Sequence, residues 1–127
     1  MLASTHHYAV WDDHDYGPND ADRSYRDKHW SREVFNLFWG NPSAGIEGSP
    51  GITSRFDWAD LEFFLLDNLW NRSPNMRSTG KRQVFGEAQL EWLIDALSSS
   101  RATFKVVVAG GQILNPVRTA ETYANFP

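Results

Sequence analysis

Residues 86 to 112 read Gly86-Glu-Ala-Gln-Leu-Glu-Trp-Leu-Ile-Asp-Ala-Leu-Ser-Ser-Ser-Arg-Ala-Thr-Phe-Lys-Val-Val-Val-Ala-Gly-Gly-Gln112. The first half has helical period, with Leu90, Leu93, Ile94 and Leu97 on one face, so Leu93 and Leu97 are expected to be buried against a sheet. Gly86 and Gln89 stand where an N-cap and its partner three residues on would stand. Phe104 to Ala109 is then a short β-branched run, expected as a buried strand, and Gly110-Gly111-Gln112 turns tightly at its carboxyl end. Upstream, Ile52 to Trp58 alternates polar and apolar residues and Leu61 to Leu66 is apolar apart from Glu62, which predicts an antiparallel hairpin turning at 57–60. Hairpin, loop, helix, strand in this order makes an α/β unit. Asp67 and Asn68 end its second strand, a position that suits either a site or an ordinary Asx turn.

The N-terminal third holds the unusual chemistry. Tyr8 to Trp11 is apolar on both faces when read as a strand, which predicts a central, covered strand. Behind it come Asp12, Asp13, His14, Asp15, Asp20 and Asp22. Carboxylates this close repel one another unless water or a hard cation lies between them, so the segment is a solvated turn or a metal site. Counting rejects an EF-hand started at Asp13, since Gly17 and Ser24 fall where oxygen ligands are required. The His-Glu-x-x-His pattern is absent, and a chain without cysteine has no thiolate zinc site.

Between these regions, residues 20 to 39 predict helix with a break near Ser31. Ser24 and Asp27 have the form of a capping box, Val34, Phe35, Phe38 and Trp39 form an apolar stripe expected in the core, and Gly40 ends the helix. Residues 41 to 51 form a loop. Residues 69 to 84 carry Arg72, Arg77, Lys81 and Arg82 without a period and predict an exposed cationic loop, either surface charge or a phosphate clamp facing the acidic segment.

Composition sets the limits. At 127 residues the chain suits one domain, 1–127, with a real core. The formal net charge of −4 argues against a nucleic-acid backbone as partner. No apolar run reaches the length of a membrane helix, and the N-terminus shows no signal-peptide pattern.

Three motifs, Trp-Asp-Asp-His-Asp-Tyr-Gly-Pro-Asn-Asp at 11–20, Phe-Phe-Leu-Leu-Asp-Asn at 63–68 and Gly-Glu-Ala-Gln-Leu-Glu-Trp-Leu at 86–93, occur in the order found in PhoD-like alkaline phosphatases of the calcineurin-like metallophosphoesterase superfamily. The chain resembles that family along nearly its whole length. The resemblance implies an α/β fold, part of an αββα sandwich with a mixed sheet, and metal-dependent hydrolysis of phosphate esters. It implies divalent or trivalent metal ions, calcium and iron in the family, and a periplasmic or extracellular setting.

Residue by residue, Asp13 matches a metal ligand, Asp12 a nearby acidic support, and His14 the catalytic group that contacts phosphate and serves the leaving group. Gln112 falls where relatives carry Gly-His, and Asn68 and Arg72 fall in a phosphate-facing loop. Leu69 stands where relatives have an arginine directly after Asp-Asn, which leaves Arg72 as the candidate for that role. The Gly-Asp and Gly-Asp-x-His ligand motifs that flank this region in relatives are absent. The chain is therefore expected to be the central portion of a larger catalytic domain, inactive when isolated. A noncatalytic α/β domain with a structural cation-binding loop is the other reading.

Overall fold

The computed structural model describes residues 2–118 and 122–126. Strand β1 (Ser54–Trp58) and strand β2 (Leu61–Leu65) pair antiparallel, from Ser54 opposite Leu65 to Trp58 opposite Leu61. Ala59, at φ 53°, supplies the positive φ that so short a reversal needs. β2 then pairs parallel with strand β3 (Phe104–Val108), Leu61 opposite Phe104 through Leu65 opposite Val108. A parallel pair cannot be closed by a tight turn, and helix α3 (Glu87–Ser99) lies in the crossover. The result is a mixed three-stranded sheet in the order β1-β2-β3 within an α/β fold. Of the implied two-sheet sandwich, the described residues contain this one sheet.

The N-terminal third departs from the sequence reading. Residues 6–12 belong to no helix or strand. The backbone N–H of Ala9 donates to Asn41 Oδ1 at 3.0 Å, and its carbonyl accepts from Asn41 Nδ2 at 2.8 Å, so a side-chain amide takes the place of a neighbouring strand. Asp13 and His14 lie in a one-turn helix, α1 (Asp13–Tyr16), and not in a loop leaving a strand.

Helix α2 (Lys28–Phe38) runs without a break. Ser31 sits inside it and donates its hydroxyl to the Tyr16 carbonyl at 2.5 Å, fastening α2 to α1 instead of capping a second segment. Asp27 makes no side-chain cap. Ser24 instead donates its backbone N–H and its hydroxyl to Asp22 Oδ1, at 2.8 and 2.7 Å.

The core gathers around Trp11, Tyr16, Ala21, Phe35, Ile52, Leu69 and Trp70. Of the stripe expected on α2, only Phe35 is buried; Val34, Phe38 and Trp39 are exposed. On α3 the inward residues are Gln89 and Ala96, Leu93 and Leu97 are half-buried, and Leu90 and Ile94 face out. β3 was expected to be buried, yet Phe104 and Val107 are exposed along a sheet edge. The cationic loop is not uniformly exposed either: Leu69, Trp70, Arg72 and Ser73 are buried before it reaches the surface. No described helix is long and apolar enough to cross a membrane.

Candidate functional site

The carboxyl ends of β2 and β3 lie side by side because the strands are parallel, and the site is built there. Directly after β2, the Asp67 carboxylate is fully buried. Its Oδ1 accepts from Trp11 Nε1, Leu69 N and Trp70 N, each at 2.9 Å, and its Oδ2 accepts from Ile52 N at 2.9 Å. Burial pushes its carboxyl up, against these four donors, which pull it down.

Gln89 of α3 grips the backbone of the same residue, accepting from Asp67 N at 2.8 Å and donating to Asp67 O at 2.8 Å. It also accepts from Thr53 Oγ1 at 2.5 Å and donates to the Phe85 carbonyl at 3.0 Å. Gln89 thus does not reach back to cap α3 but ties the helix start to the end of β2. Gly51 leaves no room for a side chain here, since a Cβ would lie 1.9 Å from Asp67 Oδ2.

Through Trp11 this hub fixes the acidic segment. Asp12 caps α1: its Oδ1 accepts from Asp13 N at 3.0 Å, while Asp15 Oδ2 accepts from Asp12 N at 3.1 Å, a capping box built from two aspartates. Asp13 accepts from His14 N at 2.8 Å through Oδ1 and from Asp20 N at 2.9 Å through Oδ2. Part of the charge that looked like a ligand cluster therefore satisfies backbone donors of a tight turn.

Four of the residues singled out from the sequence come together. Asp12, Asp13, Asn68 and Arg72, with Gly111, Tyr123 and Phe126, line a cavity of about 10 Å³, room for one water. Asn68 is almost wholly buried; its Nδ2 lies 3.5 Å from Asp12 Oδ1, and its Oδ1 has no hydrogen-bond partner. Arg72 is also buried, its Nη2 donating to Asn75 Oδ1 at 2.9 Å and lying 4.0 Å from Asp20 Oδ1. His14 is exposed and outside the lining, with Nε2 3.2 Å from Asn19 Oδ1. Gln112 is likewise exposed, its Oε1 accepting from Asn115 Nδ2 at 2.5 Å.

Tyr123 and Phe126 carried no sequence signal, yet they close the cavity. Burial, reinforced by the Asp12 charge, pushes the Tyr123 phenol up, so it stays protonated and donates to the Gly110 carbonyl.

Gly110 marks how closely the strands approach the acidic segment. A Cβ at this position would lie 2.6 Å from the Trp11 carbonyl oxygen and 3.0 Å from Asn68 Nδ2. Gly110→Ala should cost about 1 to 3 kcal/mol through overpacking against backbone. A denaturant melt superimposable on that of the wild type would show that the segment yields freely.

No family model and no curated protein matches the chain. Among solved structures, one of PhoD is similar, with a TM-score of 0.64 and 18% identity, over 92% of this chain and 28% of that one. The fold is PhoD-like. The chain spans 28% of the length of the PhoD chain it matches.

As a test of the site for metal, the donors in this PhoD-like fold are of the right kind and too few. Asp12, Asp13 and the unpartnered Asn68 Oδ1 are hard oxygen donors. Among the described residues, however, no three His, Cys, Asp or Glu side chains gather as a metal-holding group.

Proposed function

We infer that this chain is the central portion of the catalytic domain of a PhoD-like, calcineurin-like phosphatase, a metal-dependent hydrolase of phosphate esters. The observation that carries this reading is the meeting of Asp12, Asp13, Asn68 and Arg72 in one cleft of a PhoD-like fold. They come from two distant stretches of sequence, each part of the motif resemblance or next to it. Asp13, supported by Asp12, would hold the metal, a divalent or trivalent ion such as the calcium and iron of the resembling family. When bound, such ions neutralise phosphate oxygens and activate a water for attack.

Arg72 and Asn68 would orient the phosphate, Arg72 by its paired N–H donors, and Gln112 would support that shell. His14 would protonate the leaving oxygen. It is exposed beside Asn19 and outside the lining of the cleft, so it would have to move to serve there. Each ion needs about four to six donors, so flanking ligand motifs must complete the shell. The setting implied is periplasmic or extracellular.

One observation favours a second reading, a noncatalytic domain with a structural acidic loop: both Asp13 carboxylate oxygens already accept backbone N–H groups. Release of phosphate from chromogenic mono- and diesters, with calcium and iron supplied, separates the two. The isolated chain should be inactive, and a longer chain carrying the flanking motifs should be active. In that longer chain Asp13→Ala should abolish turnover with loss of bound metal. His14→Ala should keep the metal and slow turnover by about a hundred- to ten-thousand-fold. Activity of the isolated chain would overturn the incomplete-domain reading. A longer chain without activity would favour the structural loop.

A further inference from the structure

Residues 122–126 lie across the cleft, held there by hydrogen bonds and ring contacts. Thr122 is fully buried and forms a parallel bridge with Gln112, and Tyr123 N donates to the Gln112 carbonyl at 3.2 Å. The Tyr123 hydroxyl donates to the Gly110 carbonyl, and its ring meets Phe85 edge-on at 5.1 Å. The Phe126 ring lies near two guanidinium groups, 5.5 Å from Arg72 Cζ and 4.8 Å from Arg82 Cζ. Two guanidinium groups close to one aromatic ring help to hold it in place.

The same two rings wall a second pocket. With them Lys81, Arg82, Gln83, Val84, Phe85 and Leu90 line about 220 Å³, against about 10 Å³ in the cavity of Asp12 and Asn68. Tyr123 and Phe126 thus stand between a roomy, largely apolar groove that carries Lys81 and Arg82 and a polar cleft that admits one water and no phosphate group.

We propose that residues 122–126 are a cap over the Asp12–Asn68–Arg72 cleft, and that the cleft receives an anionic phosphate ester only when Phe126 swings off Arg72 and merges it with the groove lined by Lys81 and Arg82. This rests on the phosphate-binding reading above. In the open form Arg72 and Arg82 lose a ring and gain an anion, so the two ring contacts that help keep the cap shut are ones the ligand replaces.

Arginine modification by phenylglyoxal, mapped by peptide mass spectrometry, reads the cap without requiring activity. Arg72 in the wild-type chain should react slowly. Phe126→Ala should raise its rate about tenfold, the scale of a lost cation–π contact. Tyr123→Phe, which keeps the ring and removes the tie to Gly110, should raise it less. Circular dichroism checks that both variants fold, and if Phe126→Ala does not, Tyr123→Phe is read alone. Added inorganic phosphate should slow modification of Arg72 in the opened variant. Equal Arg72 rates in wild type and the folded variants, fast or slow, would overturn the cap. A faster rate that phosphate fails to slow would leave the cap standing and count against phosphate binding in the cleft.

Discussion

Asp67→Ala is expected to cost about 3 to 5 kcal/mol, because four buried N–H donors lose their acceptor at once and each unsatisfied buried group costs about 1 to 3 kcal/mol, partly recovered by entering water. The donors are the Trp11 indole and the backbone of Ile52, Leu69 and Trp70, so the loss reaches the acidic segment and both ends of the hairpin. The wild-type protein should also show a pH signature that the variant lacks. Burial raises the Asp67 carboxyl, so the folded state keeps its proton at a pH where the unfolded chain has released it. The folded state then binds more protons, and stability is fully present below the ordinary carboxylate range and declines as pH rises through the folded value. Urea melts of both proteins across that range test this. The same slope in both would assign the pH dependence to another group.

Trp11→Ala is the second large loss expected, about 3 to 5 kcal/mol. Trp11 is fully buried, with edge-on contacts to Tyr16 at 4.9 Å and Phe35 at 5.4 Å, and its indole N–H serves the Asp67 carboxylate. Trp11→Phe separates the two contributions, since it keeps a ring and removes the donor; where Asp67 is ionised it should cost about 1.5 to 3 kcal/mol, the range for a hydrogen bond to a charged group. Equal losses for the two variants would mean that the hydrogen bond, and not the ring packing, fixes Trp11.

The parts of the fold that were legible in the sequence depend on local periodicity. The alternation of residues 52–58, the apolar run 61–66 and the helical spacing after Gly86 each report the environment of their own element, and all three elements formed. Tyr8 to Trp11 carried an equally apolar pattern and did not become a strand. The backbone of Ala9 is satisfied by Asn41, an amide 32 residues away whose role no local pattern announces. Gln89 shows the same limit, because its position suggested a helix cap while its amide reaches across to the backbone of Asp67.

At the site, the motif order pointed to Asp12, Asp13, Asn68 and Arg72, and these share the cleft. Their number overstated the ligand supply, since Asp12, Asp13 and Asp15 also serve the backbone of α1. Tyr123 and Phe126 were silent because the stretch after Gln112 has no period, and an aromatic ring set between two arginines is visible only once both arginines are placed. The exposed faces of α2 and β3 were misread for a related reason. Apolar spacing records that a surface is suited to burial, and among the described residues nothing covers those faces.

The ends of three chain segments on one carboxylate also bear on how this region moves. The amide hydrogens of Ile52, Leu69 and Trp70 all terminate on Asp67, so loss of that one carboxylate would release all three to exchange with solvent deuterium. They are expected to exchange at similar rates as one unit, joined through Gln89 to the start of α3. Asn68, which lines the cleft, stands between Asp67 and two of these donors, so its place there depends on the same unit staying closed.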